Sequence, residues 1–125
     1  MGPLSVTELV EKNGNISSLF GCEPSQLQFK EDVNKGFGVH RSGLFKPNSK
    51  DKTFVGRDDY ENGFIFEGID VNRGAEGFGR IIWEDGSYYV GELKNNVYHG
   101  YGRDVEADGR VKEGIWEDNE FKGKE

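Results

Sequence analysis

Glycines recur at a fixed step of 23 residues through the second half of this chain. Gly63, Gly86 and Gly109 form one column, and Gly68, Gly91 and Gly114 a second; Gly77, Gly100 and Gly123 form a third, and Gly56, Gly79 and Gly102 a fourth. Columns that share one spacing mark a repeat protein, whose units bury their apolar faces only by stacking on one another. The chain holds 19 glycines in 125 residues with no G-X-Y period, which excludes a collagen helix and disfavours a helical body. Glycine at regular places in a strand-like pattern marks bends, bulges or close backbone approach.

Each unit reads as a β-hairpin. Phe78, Arg80 and Ile82 alternate with Ile81 and Trp83, the period of a strand whose successive side chains face opposite ways. Glu84-Asp85-Gly86-Ser87 is a hairpin turn, and Tyr88 to Leu93 is the returning strand. Asn62-Gly63 and Asp108-Gly109 stand at the same turn in neighbouring units, and Asn95-Asn96 is a tight turn. The hydrophobic share, 34%, is too small for a thick core. The expected fold is all-β: an elongated, single-layer antiparallel meander of hairpins with a short N-terminal helix.

Three segments follow. Residues 1–28 hold the helix and a turn-rich stretch. Ser5 and Glu8 form a capping box, Leu4 and Leu9 the hydrophobic staple around it, and Asn13-Gly14 a stop. Two turns of helix do not stand alone in water, so this one docks on the sheet or on another chain. Residues 29–62 form a degenerate repeat-like unit in which Phe29 to Gly38 echoes Leu93 to Gly102 at a shift of 64. Lys46 to Lys52 interrupts that unit as an exposed, lysine-bearing loop. Residues 63–125 carry the clear repeats.

Charge and composition narrow the function. Residues 63–125 carry 8 Lys and Arg against 14 Asp and Glu, a net of −6 within a chain total of −7. Such a surface repels phosphate backbones and anionic headgroups, so nucleic acid is not expected as a partner and a membrane lipid is disfavoured. Cys22 is the only cysteine, which suits a reducing compartment. No apolar run approaches the length of a membrane span, and the N-terminus lacks a signal-peptide pattern. A cytoplasmic location is expected.

The repeat resembles the MORN (membrane occupation and recognition nexus) family. Tyr89, Gly91, Glu92, Lys94, Asn95, His99, Gly100, Gly102 and Asp108-Gly109 match its pattern, and Gly114, Trp116 and Lys122-Gly123 continue it. Phe66-Glu67-Gly68 and Gly77-Phe78-Gly79 keep it one unit earlier, although Asp70 replaces the usual Trp and Glu76 the usual His; in the last unit Lys112 replaces the Tyr. The resemblance implies a twisted antiparallel sheet with a shallow aromatic groove. It also implies a scaffold role in cytoskeletal or ciliary (axonemal) assemblies, with lipid binding proposed for some members.

Candidate sites follow. Phe78, Trp83, Tyr88, Tyr89, Tyr98, Tyr101 and Trp116 are dense enough either to pack across strands or to anchor a partner's helix or extended segment. Arg41, Lys46, Lys50 and Lys52 are candidates for an acidic surface or lipid headgroups. The uncapped edge of the last strand offers pairing to another chain or a second copy. No catalytic residue, cofactor or metal is expected. His99 shares its column with Glu76 and Lys122, so a bond to the adjoining turn suits it better than chemistry. His40 lacks ligand-type neighbours, and nothing local activates Cys22. Asp58 to Ile69 fails as a calcium loop because Ile69 stands where a bidentate Glu is required. The expected function is a non-catalytic protein-interaction or scaffold module, with a peripheral lipid binder or an accessory subunit of an enzyme or organellar complex as alternatives.

Overall fold

A computed structural model describes residues 2–14, 16–34, 38–46 and 53–124, with the backbone alone for 32–34. Nine antiparallel strands form one open sheet in strict sequence order. They are β1 (Gln28–Asn34), β2 (Val39–Phe45), β3 (Thr53–Tyr60), β4 (Ile65–Val71), β5 (Gly74–Ile82), β6 (Tyr88–Lys94), β7 (Val97–Val105), β8 (Val111–Glu117) and β9 (Glu120–Gly123). The expected meander with an N-terminal helix is therefore present. The sheet runs without a break from the echo region into the repeats.

Two kinds of turn alternate. Asn72-Arg73, Asn95-Asn96 and Asp118-Asn119 are two-residue turns in which both residues have positive φ, the conformation that matches strand twist in tight hairpins. Gly63, Gly86 and Gly109 have φ of 92°, 89° and 92° in the longer turns. There the preceding Asn62, Asp85 and Asp108 side chains accept from the amides of Phe64, Ser87 and Arg110. The tight turns also latch neighbouring hairpins together. Asn96 Oδ1 accepts from Ala75 N at 2.8 Å, and Asn119 Oδ1 accepts from Tyr98 N at 2.8 Å, one repeat later.

The second and fourth glycine columns interleave into one row across the sheet. Gly43 faces Gly56 and Gly56 faces Gly68; Gly79 faces Gly91, then Gly102, then Gly114. Aromatic rings lie down on this row. A Cβ at Gly43 would stand 2.7 Å from Phe54 Cε2, one at Gly68 2.9 Å from Phe66 Cζ, and one at Gly102 would strike the Tyr89 ring. The aromatic two residues before a row glycine is thus the ring that covers it. The row also corrects the echo at a shift of 64. Gly102 lies inside β7, whereas Gly38 precedes β2 with φ 63°, and the residue that occupies the row there is Gly43. Residues 35–37, including Gly36 of that echo, lie outside the described residues.

The opposite face carries the helical segment, α1 (Val6–Lys12) and α2 (Ile16–Phe20), followed by a 3₁₀ turn at Pro24–Gln26. Both halves of the Ser5–Glu8 capping box form, and Asn13 ends α1. The short α2 stands where only turns were expected. Ile16 and Phe20, one turn apart, are both buried beside Leu9, Leu27, Val55 and Ile69, so packing rather than propensity holds it. Contacts of α1 fall on β3, β4 and β5. The helix-bearing face is therefore covered over its first half and open over β6–β8.

Candidate interaction surface

The glycine-row face is sealed by its own rings. A chain of aromatic contacts runs Tyr60–Phe64–Trp83–Tyr98–Trp116–Phe121, with centroid distances between 5.1 and 6.4 Å. Tyr89 stacks on Tyr98 at 3.8 Å and meets Trp116 edge-on at 5.8 Å. Such pairs each contribute about 0.5–1.5 kcal/mol beyond the area they bury. Tyr89 is fully buried and donates its hydroxyl hydrogen to the Glu92 carbonyl at 2.8 Å. Trp116 is buried and donates from Nε1 to the Gly102 carbonyl at 3.0 Å. Burial pushes the Tyr89 and Tyr98 hydroxyl pKa values well above the ordinary phenol value, with nearby carboxylates adding to it.

The seven aromatic candidates therefore divide. Tyr89 and Trp116 are core, and Trp83 and Tyr98 are half-buried members of the aromatic chain. Phe78 and Tyr88 are half-buried, and Tyr101 is 52% exposed. Tyr101 pairs across strands with Ile115, and neighbouring Arg103 and Val105 pair with Glu113 and Val111. These residues form the open half of the helix-bearing face. An open recess there is lined by Phe78, Val90, Glu92, Tyr101, Arg103 and Glu113. Val111, at 46% exposure, stands on the same face opposite Val105, beyond the Arg103–Glu113 pair.

Under α1 the same face is charged but closed. Glu67 is fully buried, with Arg80 Nη2 at 2.6 Å and Arg57 Nη1 at 3.4 Å, and it accepts from the Leu4 amide at 2.8 Å. Arg80 also donates to the Gly2 carbonyl at 2.8 Å. Buried Asn13 bridges Leu9 and Phe78: its Oδ1 accepts from Phe78 N at 2.7 Å, and its Nδ2 donates to the carbonyls of Leu9 and Phe78. A buried charge is tolerated only when paired and hydrogen-bonded, and Glu67 meets both conditions. The sequence singled out neither Glu67 nor Arg80 as a buried pair, because their 13-residue separation becomes a contact only through strand register.

The basic candidates are not one surface. Arg41 lies on the glycine-row face, donating to Asp58 at 2.7 and 2.8 Å and to Asp70 at 2.8 Å, with its guanidinium 4.1 Å from the Phe54 ring centre. Burial works to lower its pKa, but the two carboxylates outweigh that, so it stays charged and engaged within the chain. Lys46 is half-buried, with Nζ near the Gly21 turn. Lys50 and Lys52 lie outside the described residues. His99 Nδ1 is buried with no hydrogen-bond partner among the described residues, so that nitrogen does not make the bond to the turn that the sequence suggested. Among the described residues no three His, Cys, Asp or Glu side chains converge as a metal site requires, and no helix is long and apolar enough to cross a membrane. No protein-family model matches the chain, and no curated protein matches it as a relative.

Proposed function

We propose that this chain is a non-catalytic, MORN-type interaction module that builds into a larger protein assembly. One observation carries the reading. The helix-bearing face is covered by α1 over β3–β5, whereas over β6–β8 it leaves Tyr101 and Val111 in solvent beside an open recess. Exposed aromatic and aliphatic side chains interspersed with charge around an open recess suit a contact surface for another protein. A cytoskeletal or ciliary setting rests on the resemblance alone.

A second copy joined through β9 is the lesser reading. That strand is only 4 residues long and carries Glu120 and Lys122, features that blunt an edge against pairing.

Affinity capture from native extract tests the proposal, with wild type compared against Tyr101→Ala and Val111→Asp. Tyr89 is unsuitable for this purpose, because truncating a buried ring unfolds rather than unmasks. A defined protein set held by wild type and lost by both variants is the expected result. An unchanged set moves the interface to the aromatic face or the edge. An empty capture, with salt-sensitive flotation on phosphoinositide liposomes that Lys46→Glu abolishes, replaces the module reading with lipid binding.

A further inference from the structure

We infer that the open half of the helix-bearing face seats a short amphipathic helix of a partner protein, lying beside α1 and cationic in its last turn. The inference rests on the interaction-module reading and names what the recess accepts.

The recess is the seat of α1 displaced by one repeat. Beneath α1 lie Val55, Glu67, Ile69, Phe78 and Arg80. Adding 23 to each number gives Phe78, Val90, Glu92, Tyr101 and Arg103, all of which line the recess. One repeat is two strands, and strands lie about 4.7–4.9 Å apart, so the two seats are separated by roughly 9.6 Å. Packed helices lie about 8–10 Å apart. A helix in the second seat therefore packs on the sheet and on the flank of α1 together. The flank is in place: Lys12 Nζ stands 5.1 Å from the centre of the Phe78 ring, which closes one seat and opens the next.

A helix suits this place better than a strand. Strand addition needs an unpaired edge, whereas β6, β7 and β8 are paired on both sides. Phe78, Val90 and Tyr101 call for an apolar stripe. The changes between the two seats specify the rest. Glu92 replaces Ile69 and is exposed, and its Oε2 accepts from Tyr101 N at 2.7 Å, as Asn13 does from Phe78 N in the first seat. The occupant therefore need not supply an asparagine; it meets a carboxylate where α1 ends. A Lys or Arg in its last turn pairs with Glu92 and suits the helix C-terminus. At the other end, Arg103 stands where Arg80 takes the carbonyl ahead of α1, and Glu113 beside it favours a helix N-terminus. The 8 basic against 14 acidic residues of 63–125 favour a cationic partner overall.

The test uses the full chain and a fluorescein-labelled, hydrocarbon-stapled peptide of residues 2–14 carrying Asn13→Lys. Saturable binding by fluorescence anisotropy is expected, weakened about tenfold by Tyr101→Ala and similarly by Glu92→Lys. Both variants are first shown to keep wild-type amide dispersion by NMR. In wild type, bound peptide should shift the amides of Val90, Tyr101 and Arg103 and leave those of Val55 and Ile69 in place. Absence of saturable binding, equal binding to Tyr101→Ala, or shifts at Val55 and Ile69 that report displacement of α1 would each overturn the inference. Should the peptide fail while affinity capture still depends on Tyr101, the helix seat falls and the module reading stands.

Discussion

Phe78 and Tyr101 stand one repeat apart on the same face of the sheet, each directly after a glycine with positive φ, Gly77 and Gly100. Each presents an amide that the local strand irregularity frees from the ladder. Around Phe78 the answer comes from far along the sequence, as Asn13 of the helical segment reaches in. Around Tyr101 it comes from nine residues back, as Glu92 folds over. The first unit uses its column position for Ile69, which anchors α1 but cannot accept a hydrogen bond. The second keeps an acceptor there and needs no helix to satisfy that amide. Covered and open halves are thus two solutions to one backbone problem, and the difference shows that a repeat can either complete itself or recruit a cap.

The comparison breaks most visibly at the arginine column. Arg80→Met leaves Glu67 buried with weaker compensation and should cost about 3–5 kcal/mol. Arg103→Met, exposed one repeat on, should change stability by less than about 0.5 kcal/mol. Urea melts of the two variants measure the contrast, and equal losses would mean that the halves are not differently built. Next in size is the apolar pair. Leu9→Ala should cost about 2–5 kcal/mol by emptying the contact between α1 and the sheet, while Tyr101→Ala stays within about 0.5 kcal/mol.

The amide caps sharpen the same contrast. Asn13→Ala leaves the N–H of Phe78, under α1, without its acceptor and should cost about 1–3 kcal/mol. Glu92→Ala leaves the Tyr101 amide to water and should cost less than about 1 kcal/mol. Hydrogen exchange at Phe78 and Tyr101 reads both. A further small effect lies on the glycine-row face, where Asp104 pairs across strands with Tyr89. Burial, and then the neighbouring Glu106, raises the Asp104 pKa above the ordinary carboxylate value. A raised carboxylate destabilises the fold fully above its folded pKa, and the penalty fades as pH falls to the unfolded value near about 3.9. Asp104→Asn should therefore stabilise by less than about 1 kcal/mol at neutral pH, with the gain vanishing below about pH 4. Thermal melts at the two pH values decide it.

Much of this was legible beforehand, for identifiable reasons. Hairpin turns announce themselves because only Asn, Asp and Gly tolerate positive φ cheaply, and Asn95-Asn96, Gly86 and Gly109 all sit where that chemistry placed them. The capping box is likewise a local code. Gly43 escaped the period because 13 residues separate it from Gly56, where 11 separate Gly68 from Gly79 and Gly91 from Gly102. The row persists in space while its spacing in the chain slips. Asn13 could be read as a helix stop, but its grip on Phe78, 65 residues away, depends on where α1 lands. The division of the aromatics was partly within reach. A ring two residues before a row glycine shares that glycine's face, which puts Tyr89 inside; no local signal left Tyr101 outside, because that depends on how far the helix extends.

The strict strand order has a mechanical consequence. With β1 and β9 at opposite edges, tension between the ends of the described sheet acts along the stacking direction, loading strand pairs one after another instead of shearing them together. The sheet then gives way as a zipper, at low force and in steps. The latches from Asn96 to Ala75 and from Asn119 to Tyr98 tie each hairpin to the one before it. Release therefore comes a hairpin at a time, with each 23-residue unit paying out roughly 80 Å of chain. A sheet built this way is a graded extensible element, soft along its length and stiff along its strands.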